Sequence, residues 1–281
     1  MSSKPGTLWI VATPLGNPGD LSLRARELLG SVDGVLAEDT RRSGQLFSRC
    51  GITPPPFTRL HDHNEEESLA RITARLLAGE QLALVSDAGT PLLSDPGFRL
   101  VKACRQLGLR VAPLPGPFAA AAALSACGLP PQPFVFLGFA PRKAGERLAF
   151  FQPFAQIAAT LVFYERKDRI QATLKAAASV LGPREGCIAR ELTKVHEEFL
   201  PFRLEASDSL PLDLLGEMTV IIGPPEAVER TSLADMDALL AAEVKRGGGA
   251  RAVARRAKER SSGWTAREIY ARVQGKDGEG L

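Results

Sequence analysis

The stretch Leu82-Ala83-Leu84-Val85-Ser86-Asp87-Ala88-Gly89-Thr90-Pro91 constrains this chain more than any other. An apolar run of strand formers stops abruptly at a small, polar, turn-prone loop. A parallel α/β sheet offers backbone and a carboxylate to a ligand in this way, at the carboxyl end of a strand. Two other segments end alike. Leu8-Trp9-Ile10-Val11-Ala12 runs into Thr13-Pro14-Leu15-Gly16-Asn17, and Val111-Ala112-Pro113-Leu114 runs into Pro115-Gly116-Pro117. Three such exits predict one shared ligand crevice, and therefore an enzyme.

Apolar and helical patterns alternate up to about residue 128. Strands are expected at 8–12, 33–37, 57–60, 82–86 and 111–114, and helices at 21–30, 40–49, 64–78, 96–107 and 118–127. Strands separated by helices of this length imply βαβ units and a mainly parallel sheet. Right-handed crossovers then put the strand exits on one edge. Gly128-Leu129-Pro130-Pro131-Gln132-Pro133 is rich in breakers and marks a domain boundary. Beyond it, strands are expected at 134–139, 160–165, 186–192, 197–203 and 217–223, with a helix at 168–181. The short gap between 186–192 and 197–203 predicts an antiparallel hairpin, so the second sheet is mixed. From Thr231 the chain turns helical and basic: Ser232 caps a helix through 246, a second covers about 250–260, and Thr265 and Glu268 form a capping box for a third. The arrangement resembles a helix-turn-helix. The fold class is thus α/β, with a parallel-sheet domain (1–128), a mixed-sheet domain (129–229) and a small basic helical module (230–281).

Composition excludes several classes. No apolar run reaches the roughly 20 residues of a membrane span, and the start of the sequence lacks a signal-peptide apolar region. A cytoplasmic location is expected. The cysteines at 50, 104, 127 and 187 form no Cys-x-x-Cys pair, which argues against zinc and against a disulfide framework. Net charge is only +3, but nine basic and two acidic residues lie between Lys245 and Arg272.

The loop at 13–17 is neither a Walker loop nor a Gly-x-Gly-x-x-Gly turn, and suits a compact, mostly uncharged ligand. Asp87 could bond a ribose, balance a cation, or simply cap the next helix. Ala37-Glu38-Asp39-Thr40-Arg41-Arg42 brings two carboxylates and two guanidiniums to a strand end. They form either an acid/base and phosphate-steering cluster, or an N-cap with surface arginines. His61 and His63 lack a third ligand for a metal; a polar loop with Asn64 capping the next helix, or a substrate contact, reads better. Arg142 and Lys143 form a basic loop suited to phosphates, as a solvated surface loop would also do. Arg190 and its neighbours read as structural pairs.

Taken in order, these motifs resemble the tetrapyrrole methylase superfamily of S-adenosylmethionine-dependent methyltransferases. Within it they are most similar to the ribosomal RNA small subunit methyltransferase I family. The resemblance rests on 13–17, Ala37 to Arg41, Leu60 to Glu65, Val85 to Pro91, Leu114 to Pro117, Phe163-Tyr164-Glu165, Ala189 to Lys194 and Gly216-Glu217-Met218. It implies a homodimer whose two α/β domains hold S-adenosyl-L-methionine in their cleft. It further implies 2′-O-methylation of a cytidine ribose in the decoding region of 16S rRNA, within the small ribosomal subunit. Carried over by position, the cofactor wall comprises Asp87, Ala88, Gly89, Thr90, Gly116, Pro117, Phe118, Ala119 and Ala120. Tyr164, Leu192, Glu217 and Met218 close it from the second domain. Phe118 stands where the family usually has a small residue.

A ribose hydroxyl is weakly acidic, so a proton acceptor assists its attack. The candidates are Glu38, Asp39 and Asp20. Arg41, Arg42, His61, His63, Arg142 and Lys143 are assigned to the RNA, and no metal is expected. Two alternatives remain open: a precorrin-type methylase, which needs no basic tail, and a non-catalytic RNA-binding protein.

Overall fold

The first sheet is wholly parallel, with strands in the order β3-β2-β4-β1-β5. They are β1 (Thr7–Val11), β2 (Gly34–Ala37), β3 (Phe57–Arg59), β4 (Leu82–Val85) and β5 (Arg110–Leu114). β2 and β4 are buried along their whole length. That is why they read as continuous apolar runs with no polar alternation. Helices α1 (Leu23–Leu29), α2 (Thr40–Arg49), α3 (Glu65–Leu77), α4 (Phe98–Gln106) and α5 (Ala119–Ala126) follow strands in turn. One face of the sheet buries Ala25, Leu29 and Phe47; the other buries Ile72, Leu76, Leu100 and Cys104. Each expected strand and helix lies within two residues of its observed bounds, and only the frayed ends differ.

The second sheet is mixed, in the order β6-β7-β10-β8-β9. Its strands are β6 (Phe134–Phe139), β7 (Thr160–Arg166), β8 (Glu185–Arg190), β9 (Glu198–Arg203) and β10 (Glu217–Ile222). β8 and β9 form the expected antiparallel hairpin. α6 (Ala144–Phe151) and α7 (Ile170–Leu181) cover one face, where Phe151, Phe163, Leu174, Met218 and Val220 are buried. The other face takes α5: Ala120, Ala123 and Leu124 pack on Val162, Cys187, Ala189 and Ile221. The last helix of the first αβ layer is therefore the floor of the second sheet, and its N-terminus opens toward both.

This computed structural model describes residues 4–62, 64–210, 216–226 and 231–275. Its two compact units are Met1–Pro225, which holds both sheets, and Glu226–Leu281. The second unit contains α8 (Leu233–Lys245), α9 (Ala250–Glu259) and α10 (Ala266–Val273) around Met236, Val253, Ala257, Trp264 and Ile269. Ser232 caps α8, and Thr265 with Glu268 forms the capping box of α10. No helix among the described residues is long and apolar enough to cross a membrane.

Candidate active site

The strand order sets β4, β1 and β5 side by side, so the three exits meet. Thr13 and Gly89 exchange two backbone hydrogen bonds, at 2.8 and 3.0 Å. The Thr13 hydroxyl donates to Ser86 O (3.1 Å), and Ser86 Oγ donates to Gly89 O (2.8 Å). Thr90 Oγ1 donates to Pro117 O (2.9 Å), tying the third exit to the second. Gly89 has φ +82°, a conformation other residues adopt at a cost. A Cβ built on Gly116 would lie 2.8 Å from Ala12 Cβ, so the β1 and β5 exits close on each other only because Gly116 has none.

Asp87 stands on this rim. One carboxylate oxygen accepts from Arg42 Nη1 at 3.1 Å. The other, Oδ1, is buried without a partner. A buried acceptor left unpaired is uncommon and calls for a ligand, a water or an ion. Burial pushes the Asp87 carboxyl up, against the pull of Arg42. Ala88 is exposed beside it, and Gly89 is buried.

The opposite wall is aromatic. Phe118, just before α5, meets Phe136 edge-on (5.3 Å); Phe136 and Phe139 both meet Tyr164 edge-on, at 5.0 and 5.2 Å. Tyr164 is pushed up to about 12 by burial, although the Ala120 backbone bonds its oxygen. Strand register then decides which neighbours face the crevice. Thr219 pairs with both Tyr164 and Ala189, so it shares their face. Met218 does not: its side chain is buried on the α6–α7 face with Phe151 and Phe163. This corrects the placement of Met218 in the crevice wall, because alternate strand residues point oppositely. Thr219 takes its place, and only the register reveals it.

Glu217, Leu192 and their neighbours act as a latch between the halves. Lys194 Nζ bonds Glu191 Oε1 (3.0 Å) and Glu217 Oε2 (3.2 Å). Asn17 N donates to Thr193 Oγ1 (3.1 Å), and Gly16 lies against Lys194 and the buried Leu192. A Cβ on Gly216 would collide with the Glu191 carboxylate. Three motifs of the sequence are therefore parts of one contact.

The acidic edge resolves into unequal groups. Asp39 caps α2, accepting from the Arg41 and Arg42 backbone N–H groups, which hold its carboxyl below the usual range. Glu38 is half-buried; burial, then Asp87 and Asp62, raise it, opposed by His61 and Arg42. Asp20 is exposed at the end of a 3-10 turn at Pro18–Asp20. Asn64 stands at the start of α3 but does not cap it: its side chain turns back to His61 N and Arg59 O. His61 Nδ1 accepts from Asn64 N, and His63 lies outside the described residues. Arg41, Arg142 and Lys143 are exposed, Lys143 beside Glu146 at 3.1 Å.

Asp95 was not legible in the sequence. It lies in the loop after Thr90, where Leu92 and Ser94 have φ of +72° and +75°. Burial, then Glu38, Asp87 and Asp62, push its carboxyl up to about 7. Left-handed backbone and a raised carboxyl at one place make this loop a candidate functional edge. Among the described residues no group of His, Cys, Asp and Glu is arranged to hold a metal.

A parallel αβ sheet with a glycine-cradled crevice, walled by a second mixed sheet, is the architecture of one methyltransferase class. The tetrapyrrole (corrin/porphyrin) methylase family profile matches residues 7–208, and the chain belongs to that family. Among curated relatives, "Ribosomal RNA small subunit methyltransferase I" of Xylella fastidiosa is 52% identical over 199 residues, covering 70% of this chain and 72% of that one. Its counterpart from Mesorhizobium japonicum is 45% identical over 237 residues, covering 83% and 80%. The crystal structure of uroporphyrin-III C-methyl transferase from Thermus thermophilus, complexed with S-adenyl homocysteine, superposes with a TM-score of 0.55 at 20% identity. It covers 78% of this chain and 97% of that one, and so shares the fold.

Proposed function

We propose that this protein transfers a methyl group from S-adenosyl-L-methionine to the 2′-hydroxyl of a cytidine ribose in the decoding region of 16S rRNA. The carrying observation is the crevice at the joined β1, β4 and β5 exits, with the unpaired Asp87 oxygen on one side and the Phe118–Tyr164 wall on the other. Close identity to relatives bearing an rRNA methyltransferase name favours RNA over a tetrapyrrole substrate.

The residues present fit the cofactor. Gly89 and Gly116 let backbone approach closely, and Asp87 Oδ1 offers a free acceptor to an amine or ribose. Aromatic rings stabilise a cation nearby. α5 begins without a side-chain cap, so its N-terminus suits a carboxylate. The cofactor supplies an activated methyl on a sulfonium. The chain supplies alignment, worth about 7–11 kcal/mol at best, and a proton acceptor for the ribose hydroxyl.

Glu38 fills the acceptor role better than Asp39, whose carboxylate is occupied in capping, or Asp20, which is exposed. Asp95 shares the edge and holds its proton near neutrality. Arg41, Arg42, Arg142 and Lys143 steer flanking phosphates, and the 230–281 module adds affinity. A homodimer belongs to the same reading, supported by exposed Phe134, Phe139 and Leu148 on the β6 edge and α6. A cytoplasmic setting follows from the substrate.

The test is mass mapping of methylated nucleosides after incubating the protein with 30S subunits and cofactor. One ribose-methylated cytidine is expected, and transfer to a base nitrogen overturns the reaction. In the same assay Glu38→Gln should lower turnover about 100-fold or more, whereas Asp39→Ala should mainly lower thermal stability.

A further inference from the structure

The described arginines of the C-terminal unit divide into two sets. Glu243 on α8 is fully buried and accepts from Arg246, Arg256 and Arg260, at 3.0, 2.7 and 2.6 Å. Arg272 pairs with Asp237. These cations hold the three helices together. Arg251, Arg255 and Arg267 have no carboxylate within ion-pair reach among the described residues. All three are exposed, and they line one groove of about 510 Å³ between α9 and α10 with Lys258, whose ammonium also donates to Trp264 O at 2.7 Å.

Positions 251, 255 and 258 follow helical spacing and share one face of α9. Arg267 stands across the groove on α10, and Tyr270 forms its half-buried wall. Ala254 and Ala266 keep the floor shallow, so a backbone can come close. Glu259 is the one carboxylate at the rim among the lining residues. Like charges at i and i+4 repel, so Arg251 beside Arg255 opposes helix stability. A polyanion would offset that repulsion.

We propose that this groove is a track for the RNA phosphate backbone, in which Arg251, Arg255 and Arg267 each take a phosphate and Lys258 adds a fourth cation. Arginine suits the task because its planar fork bonds phosphate oxygens in pairs. The contact carries affinity and salt dependence, not base choice. It rests on the RNA substrate proposed above, but makes a separate claim about where affinity arises.

The experiment uses the full chain and fluorescence anisotropy on a labelled RNA hairpin, from 50 to 200 mM KCl. An R251Q/R255Q/R267Q variant removes three phosphate partners, so its salt slope should be smaller by about 2–3, at roughly 0.7–0.9 per phosphate. Affinity at 100 mM salt should fall at least 10-fold. The variant should melt no lower than the parent, because no ion pair is broken. A charge-matched R24Q/R49Q/R71Q variant, altered only on exposed helices of the first unit, controls for net charge. An unchanged slope in the groove variant, or an equal loss in the control, overturns the proposal. If the parent methylates ribose while the groove variant keeps its slope, the groove proposal fails and the activity stands. If groove-dependent RNA binding is seen without ribose methylation, the reverse holds.

Discussion

Asp95 shows how a single carboxyl connects strain, charge and function. Its folded-state acidity is weakened from 3.8 to about 7, first by burial and then by Glu38, Asp87 and Asp62. A carboxyl raised in this way favours the fold while it is protonated. The advantage is complete below about pH 3.8 and is lost as pH rises through about 7. Asp95→Asn should therefore raise the denaturation midpoint at pH 8 and leave it unchanged near pH 3.5, as measured by urea unfolding at both values. Turnover of the same variant should fall, since stability and activity oppose each other at a strained site. Gly116 supplies the second residue-scale prediction. Gly116→Ala places a methyl 2.8 Å from Ala12 Cβ, and separating the two exits should cost about 1–3 kcal/mol. Cofactor affinity by calorimetry should drop at least 10-fold. Gly116 could be read from the sequence because a Pro-Gly-Pro exit admits few conformations. Asp95 could not, because Ser94-Asp95-Pro96 reads as any solvated turn until the loop folds back beside Glu38.

Elements in this protein are finished by residues from other elements. α4 starts after Gly97, which offers no side-chain cap. The buried Glu65, in the first turn of α3, accepts from Leu100 N at 2.9 Å and does the capping from a distance. Glu65→Ala should cost about 1–3 kcal/mol by leaving a buried donor unpaired. Hydrogen exchange at the Leu100 amide should accelerate, while the amides of α7 stay protected. That 217–223 forms a strand was plain in the sequence, yet which of Met218 and Thr219 faces the crevice was not. Alternation yields two faces, and only the packing of α5 on Ile221 and of α7 on Val220 says which is which. The latch of Gly16, Lys194 and Gly216 was hidden for a related reason. Its parts lie far apart in sequence and make sense only once they touch.

At the scale of the whole molecule, the two units are stabilised by different physics. The first buries strands on both faces beneath helices, and the second gathers three arginines on Glu243. Hydrogen bonds from Arg256, then Arg260 and Arg246, lower that carboxyl from 4.5 to about 2. A carboxyl lowered in this way favours the fold above about pH 4.5, and the contribution disappears as pH falls through about 2. Glu243→Gln should thus lower the melting of the C-terminal helices at pH 7, with the difference from the parent vanishing near pH 2. Circular dichroism melts across that range would check it. By itself the sequence determined the alternation of strands and helices, the three strand exits, the breaker-rich link and the basic helical end. These are local consequences of hydrophobic period and turn chemistry, which act over a few residues. Tertiary structure alone decided that β4, β1 and β5 are neighbours, that Asp39 caps while Glu38 and Asp95 share a half-buried edge, and that Thr219 faces the cleft. It also decided which arginines hold Glu243 and which line the open groove. Burial and electrostatic partnership arise between residues distant in the chain, so no local pattern encodes them.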